Sequence, residues 1–149
     1  MRSTFASLLL TAALAAGSAS AAEKEMMHCF AFTPIESATQ SEWDAFWKAT
    51  DAWPAKFSGI KKVWYGKLRR PLNQFRVDAE STKKFKTGPK VEGATVERVV
   101  RQYGVCFAME PGEESLKGYT ASPYHKEWMA VYEKVRVAGT TTYDIMPVQ

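Results

Sequence analysis

Residues 118–128 read Gly118-Tyr119-Thr120-Ala121-Ser122-Pro123-Tyr124-His125-Lys126-Glu127-Trp128. The Ser122-Pro123 pair ends one helix and starts another, because the residue before proline avoids the α region and proline suits the first helical turn. A short helix over 113–120 therefore meets a longer one over 123–135, which carries Trp128, Met129, Tyr132 and Val135 on one face. The junction sets a phenol, Tyr119, and an imidazole, His125, on either side of a change in chain direction. Both groups donate and accept hydrogen bonds, and histidine titrates near neutral pH. An acid–base pair at a cavity mouth is one reading; a core tyrosine beside a surface histidine is the other.

The same punctuation organises the rest of the chain. Met26 to Phe32 is an apolar run of strand length, ended by Thr33-Pro34. Thr39-Gln40-Ser41-Glu42 has the form of a capping box. Trp43, Phe46, Trp47, Thr50 and Trp53 follow at helical spacing, and Pro54 stops them. Ile60 to Tyr65 and Val99 to Met109 read as the second and third strands, and Thr140 to Met146 as the fourth, after Gly139 closes the unit that contains the long helix. The order is β-α-β-β-α-β, an α+β ferredoxin-like domain with a four-stranded antiparallel sheet and its helices on one face. Apolar residues occupy both parities of the strands: Phe30 and Phe32 alternate with Met27, Cys29 and Ala31, and Phe107 and Met109 with Cys106 and Ala108. A sheet apolar on both faces with helices on one needs a second cover, so a sheet-to-sheet homodimer is expected.

Met1-Arg2, the apolar run from Phe5 to Ala16 and the small residues Ala19-Ser20-Ala21 form a secretory signal peptide, 1–21, and predict an exported, periplasmic or secreted protein. The run is too short for a membrane span. The 128 residues left, 22–149, suffice for one domain with a core and carry a net charge of +3, too mild for nucleic-acid binding. Residues 69–101 hold nine basic and four acidic side chains, and read as an enlarged, irregular, solvated loop. Two histidines and two cysteines, with no C-x-x-C, give no metal site and no cofactor motif. An oxidising compartment leaves a Cys29–Cys106 disulfide open, and two buried free thiols equally so.

At His28-Cys29-Phe30-Ala31-Phe32, Val63-Trp64-Tyr65-Gly66-Lys67, Val105 to Met109 and Tyr119-Thr120-Ala121-Ser122-Pro123-Tyr124-His125, the chain resembles the stress-responsive dimeric α/β-barrel family, called Dabb. The last stretch is similar to the family's Tyr-x-x-His-Pro-x-His, with Ser122 in place of its first histidine. Glu110-Pro111-Gly112 also departs from the family's acidic position after the third strand. The resemblance implies dimerisation into an α/β barrel and a cavity between helices and sheet. In members that act as cyclases, a tyrosine and a histidine of this motif transfer protons; here they are Tyr119 and His125, and His28 matches a first-strand histidine that faces the cavity. Phe30, Phe32, Phe46, Trp47 and Trp128 are the expected apolar lining, although an aromatic stripe at helical spacing serves a core equally well. Two functions follow: an exported protein that binds a small apolar or aromatic molecule, or a cofactor-free acid–base enzyme, a cyclase or lyase, using His125 and Tyr119. With His28 toward the cavity, alternation turns Cys29 away. Counting back from Tyr119 puts Cys106 on the cavity side, so no intrachain disulfide is expected.

Overall fold

A computed structural model describes residues 25–148 apart from Pro89 and Val91. The predicted signal peptide lies outside the described residues. The chain runs β1 (Met26–Pro34), α1 (Gln40–Asp51), α2 (Trp53–Lys56), β2 (Ile60–Val77), α3 (Ala79–Phe85), β3 (Val96–Met109), α4 (Glu113–Ala121), α5 (Pro123–Val135) and β4 (Arg136–Ile145). The strands form one antiparallel sheet in the order β2-β3-β1-β4. This is the ferredoxin-like arrangement, with α1, α2, α4 and α5 packed on the core face of the sheet.

Local chemistry fixes the helix ends. Thr39 accepts from the Glu42 amide while the Glu42 carboxylate accepts from the Thr39 amide, so the capping box closes at the start of α1. Pro54 interrupts the helix as expected, but it also serves as the early proline of the short α2. Ser122 closes α4 and caps α5 through the Tyr124 amide, with Pro123 opening the new helix.

The core is aromatic. Phe30, Phe32, Phe46, Trp53, Phe107 and Trp128 are all 5% exposed or less. They meet at the offset and edge-on ring distances that favour such pairs, for example Phe32 edge-on to Tyr132 at 5.0 Å. One polar pair is closed inside this core: the Thr50 hydroxyl donates to the Phe46 carbonyl and accepts from the Trp128 indole.

Two expectations are overturned. The segment 69–101 is not an irregular loop. β2 and β3 run on through it as a paired ribbon, from Leu72 opposite Arg101 to Val77 opposite Val96, with α3 between them. β2 carries extra residues between Lys67 and Leu72, where the register shifts. The ribbon returns to the sheet at β4, where Gln74 hydrogen-bonds Thr141 and the Arg76 guanidinium lies against Gly139. The alternation in this segment was masked by its lysines and arginines, which a two-stranded ribbon carries on its solvated faces.

The second correction is the disulfide. Cys29 and Cys106 are bonded to each other, with Cα atoms 4.1 Å apart. They are direct cross-strand partners, because β1 and β3 pair His28 with Phe107 and Cys29 with Cys106. Both therefore point to the face opposite the helices. Counting parity back from Tyr119 failed because Glu110-Pro111-Gly112 and α4 intervene, and a turn followed by a helix carries no strand phase. Only the register of the ladder settles which face a residue takes.

Candidate functional site

A cavity of about 190 Å³ opens between α5 and the β1–β4 edge of the sheet. The structure brings His28, Tyr119 and His125 together on its wall, with Phe30, Trp128 and Met129 as apolar lining. Tyr119 comes from the last turn of α4 and His125 from the first turn of α5, on either side of the Ser122-Pro123 break. Their rings meet edge-on at 4.8 Å, and the His28 ring stands 5.5 Å from Tyr119.

Burial decides the state of two of these groups. Burial pushes the Tyr119 phenol well above its ordinary pKa, so it keeps its proton and remains a donor. Burial, and then the neighbouring charge of His28, lowers the pKa of His125, so its imidazole is neutral near pH 7 and retains a lone pair. His28 Nδ1 lies 2.7 Å from the Asp144 carboxylate. A carboxylate can only accept, so Nδ1 carries the hydrogen of this bond. Asp144 thus orients a histidine on the cavity wall.

Asp144 is the site residue that sequence reading missed. It faces His28 because β4 pairs with β1 in that register, which brings together residues 116 apart. A signal was present in the alternation of the last strand. Thr140, Thr142 and Asp144 share one parity, against Tyr143 and Ile145 on the other, so the polar parity of this edge strand faces the cavity.

Three residues expected as lining lie elsewhere. Phe32 points to the same side of the sheet as Phe30 but is sealed under Phe46 and Tyr132. Phe46 is fully buried and packs flat on Tyr132 at 5.1 Å. Trp47 stacks on Tyr65 of β2 at 4.5 Å, away from the cavity. α1 packs behind Trp128 and Tyr132 rather than on the cavity itself, and helical spacing alone cannot separate a cavity wall from a core wall.

Among the described residues no cluster of three or more His, Cys, Asp or Glu side chains is placed to hold a metal ion, and no helix is long and apolar enough to cross a membrane.

No protein-family model matches the chain, and no curated protein sequence matches it. Solved structures do. A dimeric ferredoxin-like protein of unknown function from Thermobifida fusca is 13% identical, with a TM-score of 0.53, over 85% of this chain and 93% of its own. A Dabb family protein with a ferredoxin-like fold from Mesorhizobium loti is 11% identical, with a TM-score of 0.52, over 85% and 99%. The hydroxynitrile lyase of Passiflora edulis is 7% identical, with a TM-score of 0.56, over 85% and 96%. At such identities the likeness is one of fold: the chain has a ferredoxin-like fold, as these proteins do.

Proposed function

We propose that this Dabb-type domain is an exported, homodimeric protein that takes one small apolar or aromatic molecule into the cavity between α5 and the sheet. The observation that carries the reading is the cavity itself. Apolar walls from Phe30, Trp128 and Met129 surround a few convergent polar groups, the usual composition of a small-molecule site. The Cys29–Cys106 disulfide favours export, because such bonds persist in oxidising compartments. The dimer is supported by the helix-free sheet face, where Trp64 and Tyr143 are 49% and 44% exposed beside a groove lined by Ala31, Gly104 and Cys106.

The test for binding is equilibrium titration of small aromatic molecules, followed by Trp fluorescence, since Trp128 lines the cavity. Met129→Trp, which fills the cavity, should abolish binding. Unchanged affinity in that variant would refute the site.

A second reading has its own support in the Asp144–His28 pair. An oriented imidazole, a second neutral imidazole and a protonated phenol can move a proton to or from one bound molecule without a cofactor. One histidine acts as base and Tyr119 donates to the oxygen that gains charge. If this is an enzyme, His125→Ala or His28→Ala lowers turnover on the order of 10²-fold or more while ligand affinity changes little. If it only binds, both variants hold affinity within about tenfold and there is no turnover to lose.

A further inference from the structure

The cavity has a second chemical end that the imidazoles do not reach. α5 presents His125 in its first turn and Tyr132 seven residues later, about 10 Å along the axis at ~1.5 Å per residue. β4 follows the same direction: Asp144 stands opposite His28, Thr142 opposite Phe30, Thr140 opposite Phe32 and Arg136 opposite Pro34. Tyr132, Arg136, Thr140 and Thr142 complete the cavity wall.

Two donors at this end have no partner. The Arg136 guanidinium carbon sits 4.6 Å from the centre of the Tyr132 ring. Tyr132 is 3% exposed, and both its hydroxyl and the Arg136 Nε are buried without a hydrogen-bond partner. A buried polar group left unpaired costs about 1–3 kcal/mol. Both residues line the cavity, and an acceptor that reached these two donors would satisfy them. The acid nearest Arg136, Glu133, stands 3.9 Å away and is mostly exposed, so it neutralises little of the charge. Behind this wall Arg101 is 1% exposed and is held by the hydroxyls of Thr33 and Thr141 rather than by a carboxylate. Arg76 and Arg101 both lie against Gly139 of β4. Three guanidinium groups therefore gather at this end, and their field is strengthened by the low dielectric around them.

We propose that Arg136 and Tyr132 form an anion subsite, and that the molecule held in the cavity is a compact aromatic or aliphatic carboxylate. Its carboxylate accepts from Arg136 Nε and Tyr132 Oη. Its apolar body lies between Phe30, Trp128 and Met129 and points toward His28 and His125. A volume of about 190 Å³ lies below the roughly 300–1,000 Å³ of drug-sized pockets, which sets the body at one ring or a short chain. This proposal rests on the reading of the cavity as a ligand site.

The experiment compares phenylacetate with phenylacetamide, an uncharged isostere, on the intact folded protein by calorimetry. The expected result is that the carboxylate binds at least tenfold more tightly. Arg136→Gln should erase that preference and leave the amide within about twofold. Tyr132→Phe, which removes only the hydroxyl, should reduce the preference severalfold, and it decides the matter if Arg136→Gln does not fold. Equal binding of the two probes to the unaltered protein overturns the subsite and leaves the cavity reading standing. So does a carboxylate preference that survives in both variants. Binding of neither probe counts against the cavity as a ligand site and the subsite falls with it.

Discussion

On its helix-covered face the sheet carries Phe30, Phe32, Val105, Phe107 and Met109; on the other face the neighbouring rungs are Cys29, Ala31, Gly104, Cys106 and Ala108. The first face is held by large rings packed against α1, α2, α4 and α5. The second is made of small side chains, drawn together by one disulfide and flanked by the exposed Trp64, Tyr143 and Ile145. Gly104 shows how close the approach is, since a Cβ there would come within 3.1 Å of the Leu68 side chain. Cys29, Ala31 and Ala108 are already 2% exposed or less within the subunit, so a second surface would meet the flanking Trp64, Tyr143 and Ile145, whereas the rings of the covered face have already found their partners. The difference separates the part of the molecule that makes it fold from the part that the proposed dimer would bury.

The comparison breaks most visibly at Trp128. Trp128→Ala removes a fully buried ring and the donor to Thr50, and should destabilise the domain by about 3–5 kcal/mol in urea denaturation. On the opposite face, replacing Cys29 and Cys106 together by Ala should cost about 2–4 kcal/mol, because the bond closes a loop spanning 77 residues of the unfolded chain. A loss below ~1 kcal/mol would show that this face depends little on the cross-link.

The proposed dimer sharpens the contrast. Trp64→Lys with Tyr143→Lys should leave the unfolding midpoint of the subunit nearly unchanged but weaken self-association roughly 10²-fold, about 2.7 kcal/mol, by sedimentation. A dimer that tolerates two lysines there must use another surface. Thr39→Ala at the capping box, remote from both sheet faces, should cost about 1 kcal/mol.

The smallest effect is one of pH. His125 is held neutral by burial, with its folded pKa below the ordinary 6.5. Its contribution to stability is present in full above pH 6.5 and is lost as the pH falls through the folded value, because the unfolded chain takes up the proton first. Denaturation midpoints should therefore decline on acidification below pH 6.5, and His125→Gln should flatten that decline. An unchanged slope would mean that His125 is more freely solvated than its place beside Tyr119 implies.

Much of the fold was legible from residue order. Ser122-Pro123 announced the helix junction, Thr39 and Glu42 the start of α1, and the alternation of Phe30 and Phe32 with Cys29 and Ala31 a sheet apolar on both faces. Tyr119 and His125 could be paired because only five residues, one of them a proline, lie between them, so local geometry alone brings them near. Asp144 could not, nor could the exclusion of Phe46 and Trp47 from the cavity, because these depend on which strand lies beside which and on where α1 crosses the sheet.

The sequence by itself determined the order of the elements, the helix caps, the two apolar parities and the Tyr119–His125 junction, since each is set by interactions within a few residues along the chain. Only the tertiary structure decided the Cys29–Cys106 bond, the Asp144–His28 pair, the ribbon made from residues 69–101 and the meeting of Arg136 with Tyr132 at the cavity's far end. Register and helix placement are choices among many long-range pairings. They are made by the whole core at once, and a shift of one residue along a strand would send that strand's side chains to the opposite face.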